Sequence, residues 1–431
     1  MNILHKDYDN LISEDRVYLC IDLKSFYASV ECAERGLDPF KVNLVVSDAS
    51  RGKGAITLAI TPKMKKYGIP SRVRLFQIDK NIKYEIAKPR MSLYIEYAAN
   101  IYAIYLRYVS KEDIHVYSID EAFIDVTKYL KLYQLSAYEL AKKIMADILN
   151  ELKITATCGI GTNLYLAKIA LDILSKHNKQ NIGYLNKARF YHRLSRHQPL
   201  TDFWQIGRGI CKRLDKLGIY NMEDIRNFDP EILYKEFGVN AEYLIDHAFA
   251  YEPCLIKDIK NYHSKTNSFA NSQILFEDYS YEDALTVLKE MVDLMSLKMI
   301  DNHLVCGHIS LRVDYSKDSY KASATSHKLA IKTNVYTKIV EAFITLYHKE
   351  VRRDLPIRKI SISCGNLKDE NYEQLDLFTD FEQIEKERNI EKAMNSIKHK
   401  YGKNAVLRGL SYKEKATQRK RNKLIGGHNA E

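Results

Sequence analysis

The sequence predicts a multidomain protein of mixed α/β (α+β) class. Strand-like apolar runs at residues 17–22, 43–47 and 154–160 alternate with helix-like periods at residues 26–35, 91–108 and 137–152. This alternation is typical of an α/β sheet covered by helices. A second alternation, over residues 268–364, has the order strand, helix, strand, strand, helix, strand. A chain of 431 residues, 46% hydrophobic and 28% charged, has room for both units.

Charge and composition limit the class of partner. The formal net charge of +11 favours a polyanion such as nucleic acid, although basic surfaces are common. The sequence has no run of about 18 apolar residues and no basic-then-apolar leader, so we expect no membrane partner and a cytoplasmic location. Seven cysteines are scattered without paired spacing, which predicts reduced thiols in packed positions.

Acidic side chains end one predicted strand and begin another. Asp22 closes an apolar run, and Asp120 and Glu121 lie where a tight turn would join two paired strands. A charge at the end of a buried strand is costly unless something pairs with it, and Mg²⁺ prefers oxygen ligands. An Asp-Glu pair at a turn is also common for backbone reasons, so the pair alone fits either a metal site or a plain turn.

The surroundings of these acids resemble the two catalytic motifs of the Y-family, or translesion, DNA polymerases. Residues 22–31 read Asp-Leu-Lys-Ser-Phe-Tyr-Ala-Ser-Val-Glu and residues 118–121 read Ser-Ile-Asp-Glu, in the family's order and separation. The resemblance implies a right-hand polymerase with a palm, small fingers, a helix-hairpin-helix thumb and a βαββαβ little finger. It also implies low-fidelity, template-directed addition of dNTPs to a primer 3′ end, in DNA damage tolerance and repair.

The resemblance assigns the acids to a site for two Mg²⁺ ions. It implies that Asp22 and Asp120 bridge both ions and that Glu121 binds the metal near the primer. The carbonyl of Leu23 is the backbone ligand that the family implies.

Nucleotide-binding residues follow from the same resemblance. Phe26 is expected beside the sugar of the incoming dNTP, and Tyr27 against its 2′ position as a steric gate. Lys168, in an Ala-Lys-Ile-Ala run, is expected to reach the triphosphate. One branch of the family carries Thr-x-x-Tyr-x-x-Arg for the same purpose. At those positions this sequence has Ala59, Pro62 and Lys65, which fits the UmuC-like branch of Gram-positive bacteria and their mobile elements and leaves Lys65 to meet a phosphate.

The thumb is expected to bind DNA through a helix-hairpin-helix. Ile206, Gly207 and Gly209 form the turn whose backbone amides would approach phosphates. Gln205 replaces the usual first glycine, so the hairpin is expected to be looser or shifted by two residues. In the little finger, strand faces such as His308, Ser310 and Arg312 are candidates to lie against a duplex backbone.

Domain boundaries follow from these assignments. Residues 1–16 form a lead-in, 17–54 and 79–180 the palm, 55–78 the fingers, 181–250 the thumb, 251–267 a tether and 268–366 the little finger. Residues 367–431 are expected to hold a clamp-binding peptide, a helix at 380–401 and a flexible basic tail at 413–423. The tyrosine-rich helix at 91–108 is assigned to the scaffold.

A short peptide after the little finger resembles the bacterial sliding-clamp-binding motif. It contains Gln374, Leu375, Leu377 and Phe378, which would fill a hydrophobic pocket of the clamp's β subunit. The alternative is a strand that docks on the protein's own core.

Two other function classes are compatible with parts of the sequence. One is a clamp- and DNA-binding accessory protein with weak or partner-dependent polymerase activity, which the missing Thr-Tyr-Arg triplet keeps open. The other is a palm-type nucleotide cyclase, which would have no use for the hairpin or the clamp peptide. By analogy with UmuC, we expect an activating protein partner and synthesis in the SOS response, with the protein at the nucleoid.

Overall fold

The structure, a computed structural model, describes residues 8, 16–52, 54–263, 267–316, 320–370 and 381–431. It consists of two compact units, Met1–His263 with Ala430–Glu431, and Ser264–Asn429. The division between them falls within the tether that the sequence predicts at 251–267. Most of the expected lead-in and the whole expected clamp peptide lie outside the described residues.

The first unit contains two sheets and a cluster of helices. Its strands are β1 (Tyr18–Leu23), β2 (Leu44–Val46), β3 (Ala59–Ile60), β4 (Glu85–Ala87), β5 (Ile114–Val116), β6 (Glu121–Asp125), β7 (Ala156–Gly161) and β8 (Ile182–Leu185). Its helices are α1 (Phe26–Glu34), α2 (Pro62–Lys65), α3 (Met91–Leu106), α4 (Thr127–Tyr133), α5 (Ala137–Leu152), α6 (Leu164–Ile169), α7 (Lys187–Leu194), α8 (Arg208–Lys216), α9 (Met222–Asn227), α10 (Pro230–Phe237), α11 (Ala241–Ala248) and α12 (Ile256–Asn261).

The larger sheet has the strand order β5-β6-β1-β7-β8. β1 is central and pairs antiparallel with β6 and with β7, whereas β7 and β8 are parallel. Leu19 and Ile21 of β1 are fully buried, as are Ile144 and Ile148 of α5. A sheet whose central strand is apolar on both faces needs helices or further chain on each side. The predicted α/β palm is confirmed.

The smaller sheet has the order β3-β2-β4 and a core of its own. Val45, Ile60, Met64, Leu75 and Ile78 pack together there. The sequence places β2 in the palm segment 17–54, but β2 pairs with β3 and β4 rather than with a strand of the larger sheet. The small sheet therefore takes strands from both sides of the expected fingers segment 55–78.

Helices α7 to α11 pack around a separate apolar cluster. Phe190, Phe203 and Leu214 are at its centre and are almost completely buried. Helix α12 follows within the expected tether, and its Ile256 packs among residues of β1, β6 and α6. This part of the tether is therefore a packed helix of the first unit and not a loose connection.

The second unit has the predicted alternation. Its strands are β9 (Ser268–Tyr279), β10 (Leu304–Tyr315), β11 (Ser323–Thr333), β12 (Ile357–Gly365), β13 (Lys368–Asp369), β14 (Leu424–Ile425) and β15 (His428–Asn429). Its helices are α13 (Tyr281–Asp301), α14 (Tyr336–Glu350), α15 (Phe381–Tyr401) and α16 (Gln418–Arg421). The order β9, α13, β10, β11, α14, β12 confirms the βαββαβ prediction.

One face of this second sheet is covered by α13 and α14, and the other is open. The strand order is β11-β10-β12-β9, with β9 at one edge. On the open face, side chains align in rows across all four strands: Ala270, Ser363, Ser310 and Ser326 form one row, and Ser272, Ser361, Arg312 and Ala324 the next. All of these side chains except that of Arg312 are small. Ser310 and Arg312, which the sequence singles out on β10, therefore share one face with Ser361 and Ser363 of β12.

The basic tail does not have the flexible form that the sequence predicts. Thr417 and Gln418 are 1% and 2% exposed, and Ser411 is also buried. The segment contains α16 and continues into the β14-β15 hairpin. The prediction of a free arm is wrong because polar residues of the tail have buried partners on α13, which sequence periodicity does not reveal.

All seven cysteines are free thiols, five of them buried, as predicted. No helix in the described part of the chain is both long and apolar enough to pass through a lipid bilayer.

Candidate active site

The three predicted acids meet at one end of the larger sheet. Asp22 of β1 is directly opposite Glu121 of β6 in the antiparallel register. Asp120 precedes Glu121, and its carbonyl accepts a hydrogen bond from the Leu23 N–H at 2.9 Å. The Ser118 hydroxyl donates to Asp120 Oδ1 at 2.7 Å and holds that carboxylate in place. Strand pairing therefore brings together residues about one hundred positions apart.

Asp22 is in an unfavourable environment for a carboxylate. Burial, together with the charges of Asp120 and Glu121, raises its pKa to about 6, although Lys176 and Lys168 act in the opposite direction. Like charges held near one desolvated carboxylate are typical of sites that bind cations or move protons. The geometry thus favours a positively charged ligand at this end of the sheet.

Glu121 already has a cation beside it. Its carboxylate is 8% exposed and accepts a hydrogen bond from Lys168 Nζ at 2.8 Å. The thiol of Cys20 donates to the same carboxylate at 3.3 Å. Lys168 Nζ also lies 3.1 Å from Asp172. Desolvation lowers the pKa of Lys168, but the charges of Asp172 and Glu121 outweigh it and raise the pKa overall.

Glycines in β7 explain how Lys168 reaches this position. A Cβ added at Gly159 would lie 2.1 Å from the carbonyl oxygen of Ala167, and one added at Gly161 would lie 2.1 Å from the Ala167 nitrogen. Helix α6 therefore rests directly on the strand, with its lysine at the level of Glu121. The helix continues as a π-helical turn, Ala170–Leu174, which contains Asp172.

Two further lysines face the acids. Desolvation lowers the pKa of Lys65, while the charges of Asp22 and Asp120 act in the opposite direction. Lys176 pairs with Asp172 at 2.8 Å, and Asp22 and Asp172 raise its pKa against the effect of desolvation. The sequence predictions include Lys65 but neither Lys176 nor Asp172. Asp172 is four residues from both Lys168 and Lys176, and this spacing was the available signal.

The predicted nucleotide-contact residues begin α1. Phe26 is buried, whereas Tyr27 is half-buried and stacks on Tyr94 of α3 with ring centroids 4.6 Å apart. Burial and the charge of Asp120 raise the pKa of the Tyr27 phenol, so this hydroxyl is near the acids. Tyr94 in turn donates to Glu31 at 2.7 Å. The tyrosine helix is scaffold, as predicted, and it also fixes the position of Tyr27.

The predicted hairpin is present in the helical cluster. Gly207 is the N-cap of α8, and Gly207 and Gly209 have open space where a Cβ would lie. Ile206 is buried. Gln205 has a φ of +71°, the left-handed conformation that a glycine adopts without strain. Gln205 therefore adopts a conformation that glycine would adopt readily at this turn.

The donor set at the sheet end consists of carboxylate oxygens and is chemically suited to Mg²⁺. Asp22 and Asp120 are available, whereas Glu121 would first have to release Lys168. Within the described ranges, no group of three His, Cys, Asp or Glu side chains is arranged to hold a metal ion. The residues therefore fit a divalent cation in their chemistry, although their side chains do not converge on one point in this arrangement.

Family comparisons agree with the motifs and the fold. Residues 21–172 match the model of the impB/mucB/samB family, and residues 266–377 match the model of that family's C-terminal domain. The protein UvrX of Bacillus subtilis (strain 168) is 32% identical over 419 residues, covering 95% of this chain and 97% of UvrX. This chain belongs to the impB/mucB/samB family.

A second relative and a solved structure support the same family and fold. The DNA polymerase IV 2 of Bacillus subtilis (strain 168) is 27% identical over 96% of this chain and 99% of its own length. Among solved structures, a chimera of the Y-family DNA polymerases Dbh and Dpo4 has a TM-score of 0.62. It is 21% identical and covers 82% of this chain and 99% of its own, which establishes the fold. Membership of this family leaves no place for the nucleotide cyclase alternative.

Proposed function

We propose that this protein extends a DNA primer by template-directed nucleotidyl transfer with two Mg²⁺ ions. As a Y-family member it is a DNA-directed DNA polymerase of the translesion type. The observation that carries the mechanism is the register of β1 and β6, which sets Asp22 opposite Glu121 with Asp120 beside them. Carboxylates in this arrangement can hold the metal ions that stabilise the attacking and leaving oxygens of phosphoryl transfer.

Asp22, Asp120, Glu121 and the carbonyl of Leu23 would hold the metal ions. Bound there, Mg²⁺ would lower the pKa of the primer 3′-hydroxyl and neutralise charge on the triphosphate and the leaving pyrophosphate. The desolvation that raises the pKa of Asp22 to about 6 supports this assignment, because a divalent cation would relieve it.

Side chains around the acids would bind and select the nucleotide. Lys65 and Lys168 would pair with phosphate oxygens, and Lys168 would leave Glu121 to do so. Phe26 would pack beside the sugar. The ring of Tyr27, held by its stack on Tyr94, would collide with a 2′-hydroxyl and reject ribonucleotides.

Duplex DNA would be bound by elements of both units. Backbone N–H groups at Gly207 and Gly209 would approach phosphates, since no side chain fills the space above the two glycines. The Ile206 N–H donates to the Phe203 carbonyl at 3.1 Å, so Ile206 would contribute by holding the turn and not by binding a phosphate through its N–H. In the second unit, the serines and alanines on the open sheet face would let a sugar-phosphate backbone come close, and Arg312 among them would supply a positive charge. Because its substrate is DNA, we place the protein at the nucleoid.

The experiment that tests this function is primer extension with Mg²⁺ on an undamaged template. Asp120→Ala should abolish extension, whereas Glu112→Ala, which removes an exposed acid just before β5, should leave it unchanged. Primer-template binding without extension under any condition would contradict the proposal. It would favour the accessory protein, or an enzyme that needs its activating partner.

Clamp binding is a separate proposal that rests on residues 374–378. Gln374, Leu375, Leu377 and Phe378 would enter a hydrophobic pocket of the β subunit. Phe378→Ala should abolish retention of the protein on immobilised clamp, and Asp376→Ala, between the pocket residues, should not. Equal retention of both variants would contradict the assignment.

A further inference from the structure

The C-terminal basic segment, residues 413–423, carries six Lys or Arg residues and one Glu. It is fixed to the second unit through a buried carboxylate. Glu290 of α13 is 2% exposed and accepts hydrogen bonds from the Thr417 N–H at 2.7 Å and the Thr417 hydroxyl at 3.1 Å. The Gln418 N–H donates to the same carboxylate. These bonds hold the middle of the segment in one conformation.

The chain on the N-terminal side of the segment is anchored as well. The Arg408 guanidinium pairs with Asp293 and, at 2.7 Å, with Glu391, and it lies 3.7 Å from the ring centroid of Tyr336. Both acids are almost fully buried. Removing one partner from a buried ion pair is costly, so this anchor keeps the segment docked.

The segment passes along β9, the edge strand of the sheet. Gln273 of β9 is buried and donates to the Thr417 hydroxyl at 2.7 Å. Lys420 Nζ lies 4.7 Å from the ring centroid of Phe276. Phe276 follows buried Leu275, so its exposed ring is on the side of the strand away from the core. The segment therefore brings a cation to the open face of the sheet.

Several cations of the segment remain available to a ligand. Lys413, Arg419, Lys420 and Lys423 are exposed. Arg419 and Lys420 contact aromatic rings, of Tyr412 and Phe276, which leaves their charge uncompensated. In the part of the chain that the structure describes, no acidic side chain forms an ion pair with Lys413 or Lys423. One cation, Lys415, is neutralised by Glu277 at 2.7 Å.

We propose that the C-terminal basic segment is a second surface for the phosphate backbone of the primer-template, extending the open sheet face across β9. This inference rests on the proposed function. Nucleic acid is favoured because the segment lies beside a sheet face of mostly small side chains, which a sugar-phosphate backbone can approach. The backbone of the segment is held in place, so its cations lose little conformational entropy on binding a polyanion.

The test compares two triple variants of the full-length protein. Lys413→Gln, Lys420→Gln and Lys423→Gln together remove three charges from the segment. Lys338→Gln, Lys349→Gln and Lys386→Gln remove three exposed charges from α14 and α15 as a matched control. Fluorescence anisotropy of a labelled primer-template is measured between about 50 and 200 mM KCl. Thermal unfolding verifies that both variants are folded.

The segment variant should bind about tenfold more weakly, and its slope of log K against log [salt] should fall by about two to three, because each lost phosphate contact contributes about 0.9. The control variant should change affinity by less than about twofold. Equal effects in the two variants, or an unchanged slope, would overturn the proposal. Binding of labelled polyglutamate is measured in the same way. If the segment variant loses polyglutamate binding but binds the duplex as wild type does, the proposal is overturned and an acidic protein partner is indicated.

Primer extension is measured on the same preparations. If wild type does not extend primers but the slope still differs between the variants, the polymerase proposal fails and the DNA surface stands. If wild type extends primers and the slopes agree, the surface fails and the polymerase stands.

Discussion

Lys168 Nζ forms a hydrogen bond of 2.8 Å with the carboxylate of Glu121, so the cation expected at the triphosphate instead neutralises an expected metal ligand. Because this ion pair occupies Glu121, Lys168 and a metal ion compete for that carboxylate. Metal and nucleotide would therefore replace this ion pair together, with Mg²⁺ taking Glu121 and the triphosphate taking Lys168.

Replacing Lys168 tests this exchange. Lys168→Met should lower the free energy of unfolding by about 3 kcal/mol, because it leaves the buried Glu121 beside Asp22 and Asp120 without its cation. Mg²⁺ should then raise the melting temperature of the variant more than that of wild type, since no ammonium must be displaced. Differential scanning fluorimetry with and without Mg²⁺ measures both effects. Lys142→Met, which removes an exposed lysine from α5, is the control, and equal Mg²⁺ shifts in all three proteins would contradict the exchange.

Asp22 should make stability fall as pH rises. Burial raises its pKa to about 6 in the folded protein, against 3.8 in an ordinary aspartic acid. Between pH 3.8 and about 6 the folded state therefore binds more protons than the unfolded state. The free-energy cost of burying the ionised Asp22 carboxylate is absent below about pH 4 and fully present above about pH 6. In EDTA, Asp22→Asn should therefore equal wild type in stability at low pH and exceed it by about 3 kcal/mol at pH 7.

Melting temperatures across the pH range measure this difference. Glu112→Gln, which removes an exposed carboxyl, should follow wild type at every pH. A stability difference between Asp22→Asn and wild type that does not vary with pH would show that burial of this carboxyl has no energetic consequence.

Tyr27 and Tyr94 should act together in sugar selection. Tyr27→Ala should reduce the preference for dNTPs over ribonucleotides by roughly two orders of magnitude, about 2.7 kcal/mol, because the ring that meets the 2′-hydroxyl is gone. Tyr94→Leu removes the stack beneath Tyr27 and should cause a smaller loss, whereas Tyr94→Phe keeps the ring and should cause none. Ratios of kcat/KM for paired nucleotides measure this. A Tyr94→Leu enzyme as selective as wild type would show that the stack has no part in selection.

The acids and most of the elements were predictable because their signals are local. Helix α5 has the predicted bounds at 137–152, and a capping box at Ser136 with Glu139 fixes its start. Apolar alternation around Asp22 and Glu121 marks two strands, and the motifs set their order. The partners of Lys168 were not predictable in this way, because they depend on how α6 packs against the glycines of β7.

The C-terminal tail was mispredicted for a similar reason. Its composition is that of a solvated arm, yet Thr417 and Gln418 are buried against Glu290, more than one hundred residues away. Such a contact leaves no period in the sequence. Strand β2 is a comparable case, since its apolar run fits either sheet and only its pairing with β3 and β4 decides between them.

Gln205 should be a site where glycine stabilises the protein. Its φ of +71° costs a residue with a side chain roughly 1 kcal/mol, which glycine avoids. Gln205→Gly should therefore raise the free energy of unfolding by up to about 1 kcal/mol. The gain is reduced by the greater conformational entropy of glycine in the unfolded chain. Gln205→Ala keeps the Cβ and should bring no gain. Urea unfolding followed by tryptophan fluorescence, which reports on the adjacent Trp204, measures both variants. Destabilisation by Gln205→Gly but not by Gln205→Ala would mean that the glutamine tolerates this turn without strain, and that its replacement of the usual glycine has no cost.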